Sequence, residues 1–203
     1  NFSIFASLGV GADFAAALVL SRLADCPLND LVCSGPDMPR SELARLIRLG
    51  QSALARHRDA VEPSAALAAL GGFDIAVMVG VMLVASSRRH VLVVDGMAAC
   101  AALMVASRIA PAVTDYCVFC RSHSHRGLDQ ALNLFRASAL LELGMESMDG
   151  TGATLAWPMI RCAAALLSEV ADDEEPPGPQ TFDSVQGELD IGPEGRFGGP
   201  ALY

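Results

Sequence analysis

Apolar and polar positions follow two different periods along the chain, and the change between them is clearest around residue 95. Residues 90–94 end in the apolar run Val-Leu-Val-Val, which is typical of a buried strand. The run stops at Asp95 and Gly96, after which small apolar residues continue at helical spacing over 97–111. This change of period predicts a strand, a turn and a helix, with a carboxylate at the carboxyl end of the strand.

The same alternation of strands and helices extends over most of the chain. Apolar spacing predicts helices, and short β-branched runs predict strands. The further predicted helices cover 14–25, 41–61, 62–72, 73–87, 126–137 and 152–172; the further predicted strands cover 29–36 and 113–119, with a short strand or turn at 140–145. Because strands that alternate with helices form parallel sheets, we expect an α/β fold with helices on both faces of a parallel sheet.

Two of the predicted helices carry more specific expectations. Ser41 directly precedes the periodic part of helix 41–61 and is expected to cap it. Helix 73–87 is apolar almost all round, which is typical of a helix buried on every side.

The composition changes after Ala171. Residues 172–203 begin with Asp-Asp-Glu-Glu, are rich in Pro and Gly, and have no sustained apolar period. Such segments bury too little apolar surface to fold alone. We therefore predict an α/β domain over 1–171, followed by a flexible acidic tail over 172–203.

Net charge and hydropathy argue against two classes of protein. The chain of 203 residues has a net charge of −9, and this acidic balance argues against a nucleic-acid surface. All of its 14 basic residues are Arg, which is a compositional bias. The longest apolar run, 75–85, is too short to span a bilayer. The chain opens on Asn1 without a secretory signal pattern, so a cytoplasmic location with no membrane attachment is expected.

One cysteine cluster raises the question of a metal. Cys117 and Cys120 form a C-x-x-C pair that is followed by His123 and His125, and these are ligand types that zinc prefers. In a strand, however, residues 117 and 120 point to opposite faces, which opposes their convergence on one ion. Strand cysteines followed by a polar loop are the alternative, and we expect no metal site.

Two glycine-rich turns precede predicted helices. Gly9 and Gly11 stand before helix 14–25, while Gly150, Thr151 and Gly152 follow Asp149 and open the last helix. Backbone N–H groups at such a turn bind anions such as phosphate. The alternatives are a simple turn at the first position and an Asp-capped helix start at the second. Asp95 is either a ligand-binding group at the sheet edge or a cap of the helix that follows it.

Taken together, these pieces resemble a known family. Residues 71–76 read Gly-Gly-Phe-Asp-Ile-Ala, residues 95–97 read Asp-Gly-Met, and residues 149–152 read Asp-Gly-Thr-Gly. In this order and spacing, residues 6 to 171 resemble the carboxyl-terminal half of the nicotinate-nucleotide–dimethylbenzimidazole phosphoribosyltransferase (CobT) family.

The resemblance implies a Rossmann-like parallel sheet, a homodimer, and transfer of phosphoribose from nicotinate mononucleotide to a benzimidazole. The product, α-ribazole phosphate, supplies the lower ligand of cobalamin. By position, Asp149 falls on the carboxylate that serves the family as catalytic base, and no cofactor or metal is implied. The residues implied to bind substrate or phosphate are Gly9, Gly11, Gly35, Asp95, Gly150, Thr151 and Gly152.

The departures from the family pattern leave two hypotheses open. Ser7 stands where the family's phosphate loop has Glu, Asp37 stands where a second loop has Gly, and Leu46 stands where the family has Lys. An acid close to a phosphate is electrostatically unfavourable. The chain is therefore either a phosphoribosyltransferase that is impaired or incomplete alone, or a non-catalytic relative that binds a nucleotide or a partner subunit.

Overall fold

A computed structural model describes residues 1–32, 38–142, 144 and 149–169. Its sheet has three parallel strands in the order β1-β2-β3: β1 is Phe2–Phe5, β2 is Val91–Asp95 and β3 is Cys117–Cys120. Val93 of β2 pairs with Ile4 on one side and with Val118 on the other. The predicted parallel pairing of 90–94 with the strand after residue 113 is confirmed. The carboxyl ends of all three strands therefore meet at one edge.

Helices connect and cover these strands. Apolar periodicity predicted each of them except the second, with ends that differ by a few residues. The helices of the described chain are α1 Ala12–Ala24, α2 Leu28–Leu31, α3 Arg40–Arg56, α4 Pro63–Leu70, α5 Phe73–Ser87, α6 Met97–Ile109, α7 Arg126–Leu134 and α8 Thr151–Glu169. The last helix continues through Pro158.

Two predicted strands differ in the structure. The strand expected at 29–36 is wrong over its first residues, because Leu28–Leu31 forms a short helix after Pro27; residues 33–36 lie outside the described part. The strand expected at 113–119 begins only at Cys117, since Pro111–Tyr116 forms a 3₁₀ helix. Pro favours the first position of a helix, which explains that start. At 140–145, where a short strand or a turn is predicted, the described residues form no strand, so the turn is the alternative that stays open.

Two local features also escaped the sequence pattern. Strand β1 was not predicted, because four residues that include a polar serine give too short an alternation to recognise without the partner strand. The expected cap at Ser41 is wrong: α3 begins at Arg40 after Pro39, which places Ser41 inside the helix, and no side chain caps it.

Successive residues of β2 face opposite layers, as strand geometry requires. Leu92 and Val94 join the main core, to which α1, α5 and α6 contribute. Val93 faces a smaller cluster with Ala153 and Ala156 of α8. Helices therefore cover both faces of the sheet, which confirms the predicted α/β architecture.

Helix α5 is buried on one side only. Ile75 and Met82 are fully buried, but Phe73 is 93% exposed and Val77 is 66% exposed. The prediction that this helix is buried all round is therefore wrong within the described chain. The exposed residues form a continuous apolar stripe, which we call the α5 outer face: Phe73, Ala76, Val77, Gly80, Val81 and Val84.

The chain divides into two units, Asn1–Ala163 and Ala164–Tyr203. Of the second unit, only residues 164–169 of α8 are described. The expected flexible tail over 172–203 lies outside the described residues, so that expectation and the domain boundary at 171 stay predictions. Within the described part, every helix is too short or too polar to cross a bilayer.

Candidate active site

Asp95, at the end of β2, is hydrogen-bonded to the start of α8. Its Oδ2 accepts hydrogen bonds from the N–H groups of Gly150 (3.0 Å) and Ala153 (2.9 Å) and from the hydroxyl of Ser122 (2.6 Å). Ser122 Oγ in turn accepts the N–H of Gly152 at 2.8 Å. A carboxylate at this position satisfies unpaired N–H groups and complements the positive end of the helix.

This arrangement changes the interpretation of two predicted features. Asp95 is fully buried, so it lies beneath the site rather than in its wall, and it caps α8 instead of the helix α6 that follows it. The N–H groups of Gly150 and Gly152 already donate to Asp95 and Ser122, so neither is free to donate to a phosphate in this conformation.

Asp149 directly precedes the residues that bond to Asp95, and its side chain lies against Gly96. A Cβ atom at Gly96 would lie 1.9 Å from Asp149 Oδ2, and Gly96 has a φ of +96°, which side chains other than glycine rarely adopt. Only 7% of the Asp149 side chain is exposed. Gly96 therefore makes the room in which the Asp149 carboxylate sits.

The surroundings of Asp149 favour its protonated form. Burial raises its pKa to about 7, and the negative charges of Asp13 and Asp95 act in the same direction. Burial also raises the pKa of Asp13, although His123 opposes that shift. A carboxyl group that titrates close to neutral pH is suited to general acid–base chemistry.

A pocket of about 390 Å³ opens beside this carboxyl group. Ile4, Leu8 and Leu155 give it an apolar wall, while Asp149 and Thr151 supply polar groups; Gly150 and Thr154 complete its lining. An apolar wall with one titratable acid suits a flat heteroaromatic ring that carries an N–H group.

The turn that contains Gly9 and Gly11 is hydrogen-bonded, through Ser7, to the start of α5. Ser7 donates a hydrogen bond to Asp74 Oδ2 at 2.7 Å, and the N–H of Gly9 donates to Ser7 Oγ at 3.2 Å. Gly11 precedes α1 with a left-handed φ of +79°. Gly35 lies outside the described residues, so its predicted role stays a prediction.

The C-x-x-C pair lies in β3. Burial is the main cause that raises the pKa of both Cys117 and Cys120 to about 12, which keeps the thiols protonated at neutral pH. In the described part of the chain, no three His, Cys, Asp or Glu side chains are arranged to hold a metal ion. The zinc alternative therefore finds no support in these residues.

Four residues of this site were not assigned a site role from the sequence: Asp13, Gly96, Ser122 and His123. The Asp-Gly pair at the end of β2 is a usable signal for Gly96, because glycine is the usual residue where a tight turn needs a positive φ. His123 was considered only as a zinc ligand, yet its Nδ1 lies 3.3 Å from Asp149 Oδ1. No local pattern links residues that are far apart in sequence and meet only at the sheet edge.

Gly152→Ala tests how closely α8 packs on the loop after β3. A Cβ atom at Gly152 would lie 2.7 Å from the carbonyl oxygen of Arg121 and 2.8 Å from its carbonyl carbon. Because these are backbone atoms, we expect the variant to lose about 1–3 kcal/mol of unfolding free energy. Urea denaturation measures this value, and wild-type stability in the variant would contradict the described packing.

Comparison with known proteins places this geometry in context. A family model described as phosphoribosyltransferase matches residues 1–176. The nicotinate-nucleotide–dimethylbenzimidazole phosphoribosyltransferase of Cupriavidus taiwanensis is 43% identical over 167 residues, covering 82% of this chain and 48% of that protein. The enzyme of the same name from Ralstonia nicotianae is 43% identical over 174 residues, covering 84% and 48%.

The fold agrees with a solved structure. The crystal structure of CobT from Thermus thermophilus superposes with a TM-score of 0.73 at 28% identity, covering 81% of this chain and 50% of that one. The chain thus spans about half the length of the relatives it matches.

Proposed function

Because the chain belongs to the nicotinate-nucleotide–dimethylbenzimidazole phosphoribosyltransferase (CobT) family, we propose that it takes part in transfer of phosphoribose from nicotinate mononucleotide to a benzimidazole. The observation that carries the proposal is the buried Asp149 carboxyl group in the wall of an apolar pocket, with a pKa of about 7. The relatives' names supply the substrates. The site supplies a base whose ionisation is matched to neutral pH.

In this mechanism Asp149 removes a proton from the benzimidazole. The ring nitrogen that carries no hydrogen attacks C1′ of the ribose, and the proton of the other ring nitrogen passes to a carboxylate oxygen of Asp149. The bond between C1′ and the nicotinate nitrogen breaks, and its electron pair goes to the pyridine ring, which leaves as nicotinate. The product is α-ribazole phosphate. Ile4, Leu8 and Leu155 would contact the apolar ring.

The predicted phosphate-binding residues match the family pattern less well than Asp149 does. Ser7 and Leu46 replace the Glu and Lys that the family pattern has, and Ser7 is already bonded to Asp74. The N–H groups of Gly150 and Gly152 donate to protein acceptors. The N–H of Gly9 also donates to a protein acceptor, Ser7 Oγ. Of the predicted contacts, Gly11 and Thr151 are left to hold the ribose phosphate, together with Gly35, which lies outside the described residues. We therefore propose that this chain alone has reduced activity.

The second candidate is a non-catalytic relative that binds a nucleotide or a partner subunit. The replacements at Ser7 and Leu46 favour it, whereas the position and pKa of Asp149 favour the enzyme. Titration calorimetry with nicotinate mononucleotide, followed by an assay for α-ribazole phosphate with dimethylbenzimidazole, separates the two. Binding with product formation supports the enzyme, binding without product supports the relative, and no binding contradicts both nucleotide-based proposals.

We further propose a homodimer in which the α5 outer face is buried. Phe73, Val77, Val81 and Val84 are 93%, 66%, 46% and 53% exposed along one helical stripe. A contiguous apolar surface of this kind is typical of an interface. A two-fold axis through the stripe would cover it with the same residues of a second copy.

Val81→Asp tests the dimer. A charge at the centre of the stripe would be buried unpaired in the dimer and solvated in the monomer. We expect wild type to be a dimer at micromolar concentration by light scattering, and the variant to be a monomer. Gln51→Asp, on the exposed side of α3, is the matched control and should stay dimeric. A monomeric wild type would remove the proposal.

A further inference from the structure

The loop between β3 and α7 is held by the residues around His123. Arg121 pairs with Asp129 and Glu142, each at 2.5 Å, and its Nε–H donates to the carbonyl oxygen of His123 at 3.2 Å. Ser122 donates to Asp95 at 2.6 Å. His125 Nδ1 accepts the N–H of Leu128 at 2.9 Å and so caps α7. The loop is therefore fixed without help from the His123 ring.

The imidazole of His123 is available for another role. Among the described residues its side chain makes no hydrogen bond, and its Nδ1 lies 3.3 Å from Asp149 Oδ1. That oxygen is buried and has no hydrogen-bond partner within the described chain. A small rotation of either side chain would join the two atoms, because the distance is already close to that of a hydrogen bond.

The difference in solvent exposure between Asp149 and His123 sets the direction of proton transfer. The Asp149 side chain is 7% exposed, whereas the His123 side chain is 19% exposed. A proton on Asp149 lies away from solvent, and Asp13 and Asp95 both favour keeping it there. An imidazole next to the carboxyl group and closer to solvent gives this proton a path out.

We propose, building on the phosphoribosyl transfer proposed above, that His123 receives the proton that Asp149 takes from the benzimidazole and passes it to solvent. The azole N–H bond breaks as the new bond to C1′ forms, and the proton goes to Asp149 Oδ1. It then moves to Nδ1 of His123, which releases a proton to water. Asp149 is thereby returned as a carboxylate for the next cycle.

The neighbouring histidine does not serve this purpose. The rings of His123 and His125 lie 4.5 Å apart. Burial, assisted by His123 and Arg121, lowers the pKa of His125 to about 4, so it stays neutral at neutral pH. Its Nδ1 is also occupied as the cap of α7. The charged and titratable groups that face His123 are thus Asp149, Asp13, His125 and Arg121.

The test compares His123→Gln with His90→Gln, a histidine between α5 and β2 that is remote from the site. In weakly buffered solution we expect His123→Gln to form α-ribazole phosphate at least about tenfold more slowly, with added imidazole restoring most of the rate. Affinity for nicotinate mononucleotide should be unchanged, and His90→Gln should behave as wild type. An unchanged rate, or a loss that imidazole does not restore, would overturn the proposal.

A second measurement separates this inference from the proposed reaction. Carboxyl carbon NMR follows the titration of Asp149 without any turnover. Loss of the imidazole that lies 3.3 Å from Asp149 Oδ1 removes a hydrogen-bond donor to the carboxylate form, so the Asp149 midpoint should move to higher pH in His123→Gln and not in His90→Gln. An unmoved midpoint overturns the inference. A moved midpoint in a chain that forms no product supports the proton-sharing pair and contradicts the reaction.

Discussion

Asp149→Asn is expected to lower formation of α-ribazole phosphate by about 100-fold or more while leaving the binding of nicotinate mononucleotide intact. An amide has the volume of the carboxyl group but cannot accept the azole proton. The space beside Gly96 should still be filled, so the site should keep its shape. Product formation by chromatography and binding by calorimetry give the two values.

The control for this variant is Asp59→Asn, which removes an exposed carboxylate paired with Arg58. It should leave product formation unchanged. Equal rates for Asp149→Asn and wild type would exclude Asp149 as the base, and a joint loss of binding and rate would indicate a structural role instead.

The same variant changes how stability depends on pH. The pKa of Asp149 is about 7 in the folded protein and 3.8 in its ordinary state, so the folded chain holds a proton that the unfolded chain releases. Wild type should therefore lose stability as pH rises from about 4 to about 7. At pH 8, Asp149→Asn should be more stable than wild type by roughly 2–4 kcal/mol in urea denaturation.

Asp95→Ala is expected to produce the largest loss of stability, about 3–5 kcal/mol of unfolding free energy, because it leaves several hydrogen-bond donors unsatisfied. Removal of this carboxylate leaves three buried donors, the N–H groups of Gly150 and Ala153 and the Ser122 hydroxyl, without their acceptor. The start of α8 should separate from the sheet and carry Asp149 with it.

Asp95→Asn is the matched comparison, because its amide oxygen keeps the acceptor while its NH₂ replaces an oxygen that has no partner within the described chain. We expect urea denaturation to show a smaller loss for Asn than for Ala. Equal losses in the two variants would indicate that the charge itself, rather than the three hydrogen bonds, stabilises α8.

The elements that the sequence predicted well are those with a long regular period. Helix α6 and strand β2 follow directly from the apolar run and the change of spacing at Asp95. Short elements were missed where tertiary contacts decide the conformation. Strand β1 is stabilised by pairing with β2, and Leu28–Leu31 forms a helical turn whose two leucines are buried in the core.

The sequence predicts where the site lies better than it predicts the role of each residue in it. Asp95 follows from the rule that the carboxyl edge of a parallel sheet carries the chemistry. Asp149 follows from the Gly-Thr-Gly turn that comes after it and from the family resemblance. The different roles of the two carboxylates could not be predicted, because they depend on burial. Asp95 is fully enclosed beneath α8, while Asp149 borders the pocket. His123 reaches Asp149 through a loop whose path no local pattern specifies.

The most direct test of the account is the release of nicotinate from nicotinate mononucleotide in the presence of dimethylbenzimidazole, measured from about pH 5 to about pH 9. We predict slow release by wild type that rises with pH and reaches half of its maximum near the pKa of Asp149, about 7. Asp149→Asn should show no such rise. Nucleotide binding without nicotinate release at any pH, or release that is independent of pH and of Asp149, would contradict the account.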